Sequence, residues 1–361
     1  MTVSKSKRIF YFDALRAFAI ICVIIVHVYA VTRNYAMPEY DMIPSVKWLF
    51  SQVLGNCFRI GVDLFLVLSG ALSLGRVWDI RSFLGKRIPR IVGPFVFWGL
   101  ILSAVGILLS YYCGFEFLQS FDAYSMLQFV YGAFMATSHG FEPYWFFWMI
   151  LGTYLIMPIF NKWLANSKLE EAEYFLIFWL ITCLFEYTLN FTFPVKLSYF
   201  TSPIGLVVLG YYLRHTERDL LNNPYFALIL TVLSAILTMI VVCCLSSPSE
   251  MFTIDRYSLP LAFEVIGVFL LFKNFNKFNM SLNFTKNPDG VFRKFVFALA
   301  KYSYGIYLIQ GMYLCIYREI VPYYEFYSHV LILFILILLS SLITMCLLNK
   351  IPYVNRVIGA K

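Results

Sequence analysis

Long apolar runs constrain the fold of this 361-residue chain more than any other feature. A helix needs about 20 mostly apolar residues to cross a hydrocarbon layer of about 30 Å, where helices satisfy their own backbone hydrogen bonds. Apolar residues make up 61% of the sequence and charged residues only 13%, against about 25% charged in a soluble domain. We therefore predict an all-α, polytopic transmembrane helical bundle of about ten spans, near residues 9–31, 46–74, 90–113, 143–163, 174–192, 198–214, 224–246, 257–273, 297–317 and 328–349. Segment 125–137 is too short to cross and is predicted to be interfacial or re-entrant.

The basic residues predict the orientation of this bundle. Twenty of the 28 Lys and Arg residues fall on one side of the ten spans, and three lie within spans. The other side holds only five, which are Arg33, Lys47, Lys196, Arg256 and Arg318. Because cytoplasmic loops are enriched in Lys and Arg, this bias predicts an N-in and C-in topology. The loops are short, so we expect one membrane-embedded domain over residues 1–361 with no soluble appendage, and the net charge of +8 requires no nucleic-acid partner.

Two ionisable residues share one face of the first span. Arg16 and His27 are eleven positions apart, which places their side chains within about 20° of one another and about 16 Å apart along a helix axis. Asp13 lies three residues before Arg16 and is the expected charge partner of this arginine. Ionisable groups in hydrocarbon are costly, so the pair indicates a functional site. The alternative for Arg16 is that it snorkels to the membrane interface.

Further charged and aromatic residues could be structural or could line a substrate path. Arg59 and Asp63 have the i, i+4 spacing of a salt-bridged pair that would fasten the bundle, and Gly61 and Gly70 would let another helix approach closely. Trp145 fits either an aromatic belt at the outer interface or an acceptor cleft for sugars. Two more buried acids could pair with Arg59 or line a cavity, namely Glu186 and Glu264.

The basic segment RSFLGKRIPR (81–90) is predicted to be a cytoplasmic loop before the third span. Its charges could serve membrane topology and anionic lipid alone. Alternatively, Arg87 and Arg90 could clamp the phosphate oxygens of a coenzyme or nucleotide, because a guanidinium donates two parallel hydrogen bonds. The four histidines have no metal-ligand spacing, so no metal is predicted.

Several of these motifs resemble the acyltransferase family 3 membrane proteins, integral-membrane O-acetyltransferases that decorate cell-surface glycans. The resemblance covers nearly the whole chain and rests on five motifs, which are FDALRAFAIICVIIVH (12–27), GVDLFLVLSG (61–70), KRIPR (86–90), YWFFWMILGTYLIMP (144–158) and KYSYGIYLIQ (301–310). Gln310 stands where many members have histidine, and Leu66 replaces a common phenylalanine.

The resemblance implies a ten-helix protein of the bacterial plasma membrane that takes acetyl from cytosolic acetyl-coenzyme A. The acceptor would be a hydroxyl of a cell-surface polysaccharide or of its lipid-linked precursor outside the cytoplasm. His27 would be the catalytic histidine, Arg16 its partner across the bilayer, and Arg87 and Arg90 would hold the coenzyme together with Arg16. Direct transfer and a covalent acyl-enzyme both remain open. The alternative from another class is a secondary transporter or flippase for a lipid-linked glycan, in which Arg16, Arg59, Glu186 and Glu264 form a relay or path.

Overall fold

The computed structural model of the protein describes residues 9–36, 45–191, 198–246, 251–278 and 290–360, with side chains of 198–202 left aside. Within these residues the chain is helical and contains no strand. The helices are α1 (Phe10–Thr32), α2 (Val46–Asn56), α3 (Gly61–Ser73), α4 (Ile80–Cys113), α5 (Ala123–Phe134), α6 (Trp145–Asn166), α7 (Leu169–Phe185), α8 (Ser198–His215), α9 (Pro224–Leu245), α10 (Leu259–Asn274), α11 (Val291–Ile320) and α12 (Phe326–Leu348).

Seven stretches of these helices are long and apolar enough to cross a membrane. They are Phe10–Ala36, Val46–Ser73, Ile80–Cys113, Glu142–Asn166, Pro224–Leu245, Leu259–Lys277 and Phe326–Leu348. The other three predicted spans coincide with α7, α8 and α11. These segments are helical but do not combine sufficient length with sufficiently apolar composition. The all-α bundle is therefore confirmed, and the ten-span topology with its orientation stays a prediction.

The second predicted span, 46–74, coincides with the apolar stretch Val46–Ser73, but its helix is interrupted in the middle. A 3₁₀ turn, Cys57–Ile60, separates α2 from α3. The Asn56 side chain at this break donates to the Phe252 carbonyl oxygen at 3.1 Å and accepts from the Ile254 amide at 2.9 Å. These bonds tie the break to the segment before α10. A short 3₁₀ turn inside a helix often marks a functional site.

The basic segment 81–90 is helical, so our prediction of a loop there is wrong. The Asp79 carboxylate accepts from the Ser82 amide at 3.1 Å and starts α4 at Ile80. The resulting 34-residue helix is about 51 Å long, which exceeds the hydrocarbon thickness by about 20 Å. Arg87 and Arg90 thus lie one turn apart on a rigid helix.

Segment 125–137, predicted to be interfacial or re-entrant, falls largely in α5. The Asp122 carboxylate caps this helix by accepting from the Tyr124 and Ser125 amides at 3.0 Å each. At 12 residues, or about 18 Å, the helix is too short to span a bilayer, as expected.

Helix α1 occupies the centre of the bundle and packs against α2, α3, α10, α11 and α12. Glycines allow the closest helix approaches, as the sequence predicts. A Cβ on Gly61 would meet the Ala19 carbonyl oxygen, and one on Gly70 would overlap the Val207 carbonyl oxygen of α8. Helices α9 and α12 instead point long rows of apolar side chains outward, as lipid-facing helices do.

The segment that follows α12 folds back into the bundle. Ile358 is fully buried, and its carbonyl oxygen accepts from Trp98 Nε1 at 3.1 Å. Gly359 has a φ of +85°, which favours glycine, and a Cβ there would meet the Gly305 backbone and the Tyr304 ring of α11. This segment therefore helps to build a cavity that is lined by four arginines.

Candidate active site

A cavity of about 510 Å³ opens between five helices and the segment after α12. This volume lies in the range of about 300 to 1,000 Å³ that ligand pockets occupy. Four arginines from three parts of the chain line the cavity together with a hydrophobic wall. The arginines are Arg16 of α1, Arg87 and Arg90 of α4, and Arg356. We call this end of the bundle the arginine end and the opposite end of α1 the histidine end.

Arg16 lies at the cavity wall and is held by the carboxylate that the sequence predicted. Its Nη1 is 3.5 Å from Asp13 Oδ1, and both side chains are largely buried. The ion pair compensates part of the cost of placing this cation inside a helical bundle. Arg16 thus presents a fixed positive charge to the cavity.

Arg87 is oriented by groups that the sequence analysis did not connect with it. Its Nη2 donates to Ser73 Oγ at 2.7 Å, and its guanidinium lies 5.8 Å from the centre of the Phe83 ring. Phe83 stacks on Trp78 with ring centres 4.1 Å apart, and Trp78 Nε1 donates to the Ser73 carbonyl oxygen at 2.9 Å. These contacts hold the Arg87 fork in place, whereas Arg90, one turn later, is exposed at the cavity.

From the sequence, Arg356 counts only as one of the basic residues on the predicted inner side of the membrane. In the structure it lines the same cavity as the other three arginines. The sequence gives no local signal for this position, because Arg356 lies 266 residues after Arg90 in a segment without regular periodicity. Only the return of the chain to Trp98 and α11 brings it to the other arginines.

One face of α11 connects the cavity with His27. Tyr304 and Tyr307 line the cavity, and their rings lie parallel with centres 6.4 Å apart. Tyr304 Oη donates to the Ile91 carbonyl oxygen at 2.8 Å. Gln310 follows Tyr307 by one turn, and its side chain lies beside the His27 imidazole. His27 therefore lies about one helical turn of α11 beyond Tyr307, which lines the cavity.

His27 is partly exposed inside the bundle, but its Nδ1 is buried. Within the described part of the chain, neither His27 Nδ1 nor Gln310 Oε1 has a hydrogen-bond partner. A buried polar atom without a partner calls for an explanation, such as a catalytic role or a bound water. The position that departs from the family pattern thus lies against the candidate catalytic histidine.

A second polar group lies at the histidine end. The Glu142 carboxylate is near enough to His27 to interact electrostatically with it, and Glu142 Oε1 is 3.3 Å from His139 Nδ1. His139 Nε2 is 3.2 Å from Arg318 Nη2. The Cys315 thiol and then the Glu142 carboxylate raise the pKa of His139. Glu142, His139 and Arg318 are exposed, so this group can meet a ligand from outside the bundle.

Arg59 and Asp63 do not form the predicted salt bridge among the described ion pairs. Arg59 belongs to the 3₁₀ turn and Asp63 to α3, so the i, i+4 geometry of one helix is lost. Both Asp63 oxygens are buried without a hydrogen-bond partner in the described residues, and Arg256 and Arg59 supply the nearby positive charge.

Trp145 packs against the same arginine. The Cζ atom of Arg256 lies 3.9 Å from the centre of the Trp145 ring. Trp145 is thus fixed by a cation–π contact at the histidine end.

The two remaining acids lie away from this cavity. Glu264 lines a separate, largely apolar cavity of about 800 Å³ next to α9, and its Oε2 has no partner among the described residues. Glu186 is partly exposed just after α7. The carboxylates that interact most strongly with Arg59 are those of Asp63 and Asp255. The alternative that Glu264 lines a cavity is therefore the one that the structure supports.

The geometry suits a phosphorylated ligand at the arginine end and proton transfer at the histidine end. Guanidinium groups bind phosphate in fixed, bidentate geometry. A histidine imidazole accepts a proton near neutral pH. Within the described residues, no three His, Cys, Asp or Glu side chains converge in a manner that would hold a metal ion.

Comparison with known proteins adds the class of reaction. A family model described as an acyltransferase domain, that of acyltransferase family 3, matches residues 9–349. No curated protein and no solved structure matches the chain. The match covers nearly the whole sequence and includes Arg16, His27, Arg87 and Arg90. The chain therefore belongs to acyltransferase family 3 and is an integral-membrane acyltransferase.

Proposed function

We propose that this protein transfers an acetyl group from cytosolic acetyl-coenzyme A to a hydroxyl of a glycan outside the cytoplasm. The acceptor is a cell-surface polysaccharide or its lipid-linked precursor, and the membrane is the bacterial plasma membrane. The observation that carries the proposal is the continuous face of α11, which joins a cavity with four arginines to His27. Family membership favours acyl transfer over the transporter or flippase alternative.

The arginine end would bind the donor. Coenzyme A carries its phosphates at one end and the reactive thioester at the end of a long, narrow arm. Arg87 and Arg90 would hold phosphate oxygens at the cavity, and Arg16 would add positive charge deeper in the bundle. The N-in and C-in topology that the basic residues predict supports this role, because it would expose the arginine end to the cytosol.

The histidine end would perform the transfer. The thioester arm has to cover much of the roughly 16 Å that separates Arg16 and His27 along α1. In direct transfer, the acceptor hydroxyl oxygen attacks the thioester carbonyl carbon, so that a C–O bond forms and the C–S bond breaks. His27 takes the hydroxyl proton and returns it to the leaving thiolate sulfur. An acyl-enzyme route would divide the same change into two steps.

The transport alternative needs charged residues along a substrate path. It does not require His27 to take a proton from an acceptor hydroxyl. A transporter would move its substrate without consuming acetyl-coenzyme A. Hydrolysis or transfer of acetyl from labelled acetyl-coenzyme A by the purified protein would therefore support the proposal.

Separate variants at the two ends test the division of labour. His27→Ala should lower acetylation of the surface glycan by about 10² to 10⁴, since a general base contributes that much, while coenzyme binding stays near wild type. Arg87→Ala should weaken coenzyme binding. His215→Ala is the matched control, because His215 lies at the end of α8, and the Tyr211 carbonyl oxygen is 2.8 Å from its Nδ1.

Mass spectrometry of surface glycan from a deletion strain that carries each variant measures the transfer. Wild-type acetylation by the His27→Ala protein would contradict the proposed mechanism. Loss of acetylation with His215→Ala as well would show that histidine replacement acts through folding.

A further inference from the structure

We propose that Arg356 forms a separate subsite for a phosphate monoester of the acyl donor, which in coenzyme A is the 3′-phosphate of the ribose. This inference rests on the proposed function, because it assigns part of the donor to a residue of the same cavity. Nothing in the family match reaches Arg356, since the match ends at residue 349.

The segment that carries Arg356 is built into the cavity wall. We call residues 351–360 the return segment. Ile358 is fully buried and its carbonyl oxygen accepts from Trp98 Nε1. A side chain at Gly305 of α11 would collide with this Ile358 carbonyl. The return segment is therefore held by α4 and α11, the helices that also supply Arg87, Arg90 and the cavity tyrosines.

Arg356 itself is available to a ligand. Its side chain is exposed at the cavity and forms no ion pair with any carboxylate of the described residues. Its guanidinium carbon lies 5.6 Å from the centre of the Tyr353 ring. An exposed arginine on an anchored segment can form charge-assisted hydrogen bonds to a ligand. Because the backbone of the segment is already ordered, these bonds cost little backbone conformational entropy.

The distribution of the arginines matches the distribution of phosphate on the proposed donor. Arg87 and Arg90 lie one turn apart on one helix, about 4.5 Å along its axis, which suits the adjacent phosphates of a pyrophosphate. Arg356 comes from a different segment and so suits a phosphate that is not part of this group. A phosphate monoester carries a charge of about −1.5 to −2 at neutral pH, so a single arginine recognises it strongly.

The competing explanation is that Arg356 only adds positive charge to the arginine end. A diffuse charge would strengthen binding of every anionic donor and would not depend on a particular phosphate. The two explanations differ in their response to removal of the 3′-phosphate.

Calorimetric titration of the detergent-purified full chain with coenzyme A and with 3′-dephospho-coenzyme A separates them. We expect the wild type to bind coenzyme A about tenfold or more tightly than the dephosphorylated form, as one charge-assisted bond allows. Arg356→Ala should bind both ligands equally, with the affinity of the wild type for the dephosphorylated form. Arg87→Ala should weaken both ligands and keep their ratio, and Lys350→Ala, an exposed residue outside the cavity, should resemble wild type.

Arg356→Gln keeps a polar side chain without the charge and should repeat the Arg356→Ala result, which guards against a folding effect. Equal wild-type affinity for the two ligands would overturn the subsite and leave the proposed function intact. Equal weakening of both ligands by Arg356→Ala would also overturn it. No wild-type binding of either ligand would overturn the proposed function and the subsite with it.

Discussion

Replacing Gly70 with alanine should destabilise the bundle, because this glycine permits the closest contact between α3 and α8. The approach is reciprocal. A Cβ on Gly70 would overlap the Val207 carbonyl oxygen, and a Cβ on Gly210 would overlap the Val67 carbonyl oxygen. Both obstacles are backbone atoms, so a side chain cannot relieve the overlap by rotating.

The helices would have to move apart by roughly 1 to 2 Å to restore ordinary contact. Overpacking of this kind costs about 1 to 3 kcal/mol, and the overlap with backbone places Gly70 at the upper end. Alanine gains about 0.5 to 1 kcal/mol over glycine inside a helix. We therefore expect a net loss of about 2 kcal/mol. Leu68, Ser69 and Leu72 of α3 line the cavity at the arginine end, so the affinity for coenzyme A should fall as well.

Thermal unfolding of the purified protein in detergent measures the stability, and titration with coenzyme A measures the affinity. Gly152→Ala is the matched control, since Gly152 lies in α6 and a Cβ there would meet nothing within 4 Å. This control should be as stable as wild type or slightly more stable. A Gly70→Ala protein with the stability of Gly152→Ala would refute the close packing of α3 and α8.

Three further predictions concern topology, the second cavity and the return segment. A cysteine placed at exposed Asn34 should react with an impermeant reagent from outside the cell, whereas one at exposed Ser82 should react only after permeabilisation; external labelling at Ser82 would contradict the N-in topology. Glu264→Leu should raise the free energy of unfolding by about 1 to 3 kcal/mol, because it removes a buried carboxyl whose Oε2 lacks a partner among the described residues; a destabilised variant in thermal unfolding would indicate a partner for this acid. Trp98→Phe removes the donor to Ile358 and should loosen the return segment at a cost of about 1 kcal/mol, seen as faster proteolysis after residue 350; unchanged proteolysis would argue that other contacts hold the segment.

The sequence was informative wherever function depends on one helix. Arg16, Asp13 and His27 are related by helical spacing alone, and the ion pair of Arg16 with Asp13 is present. The close approach at Gly70 follows equally from residue size. Helical periodicity and the absence of a side chain are local properties, so they can be seen without a structure.

Three features of the structure were not predicted from the sequence pattern. The length of α4 depends on the Asp79 cap, and the basic, proline-containing composition of residues 81–90 is typical of a loop. The break at residues 57–60 depends on bonds from Asn56 to a segment about 200 residues later. Arg356 reaches the cavity for the same reason, through a long-range contact of Trp98 with Ile358. Tertiary contacts override local preference at the break and at Arg356, whereas the start of α4 depends on a local cap.

Titration of acetyl-coenzyme A into purified wild type and into Arg87 and Arg90 variants tests whether the arginine end binds the acyl donor. We expect saturable binding by wild type and affinity lower by about 10- to 150-fold for Arg87→Ala and for Arg90→Ala, since each loses a charge-assisted contact of about 1.5 to 3 kcal/mol. Arg87→Lys and Arg90→Lys should recover only part of the affinity, because an ammonium group lacks the planar fork. Equal affinity across wild type and all four variants would refute donor binding by these arginines and would assign them to membrane topology alone.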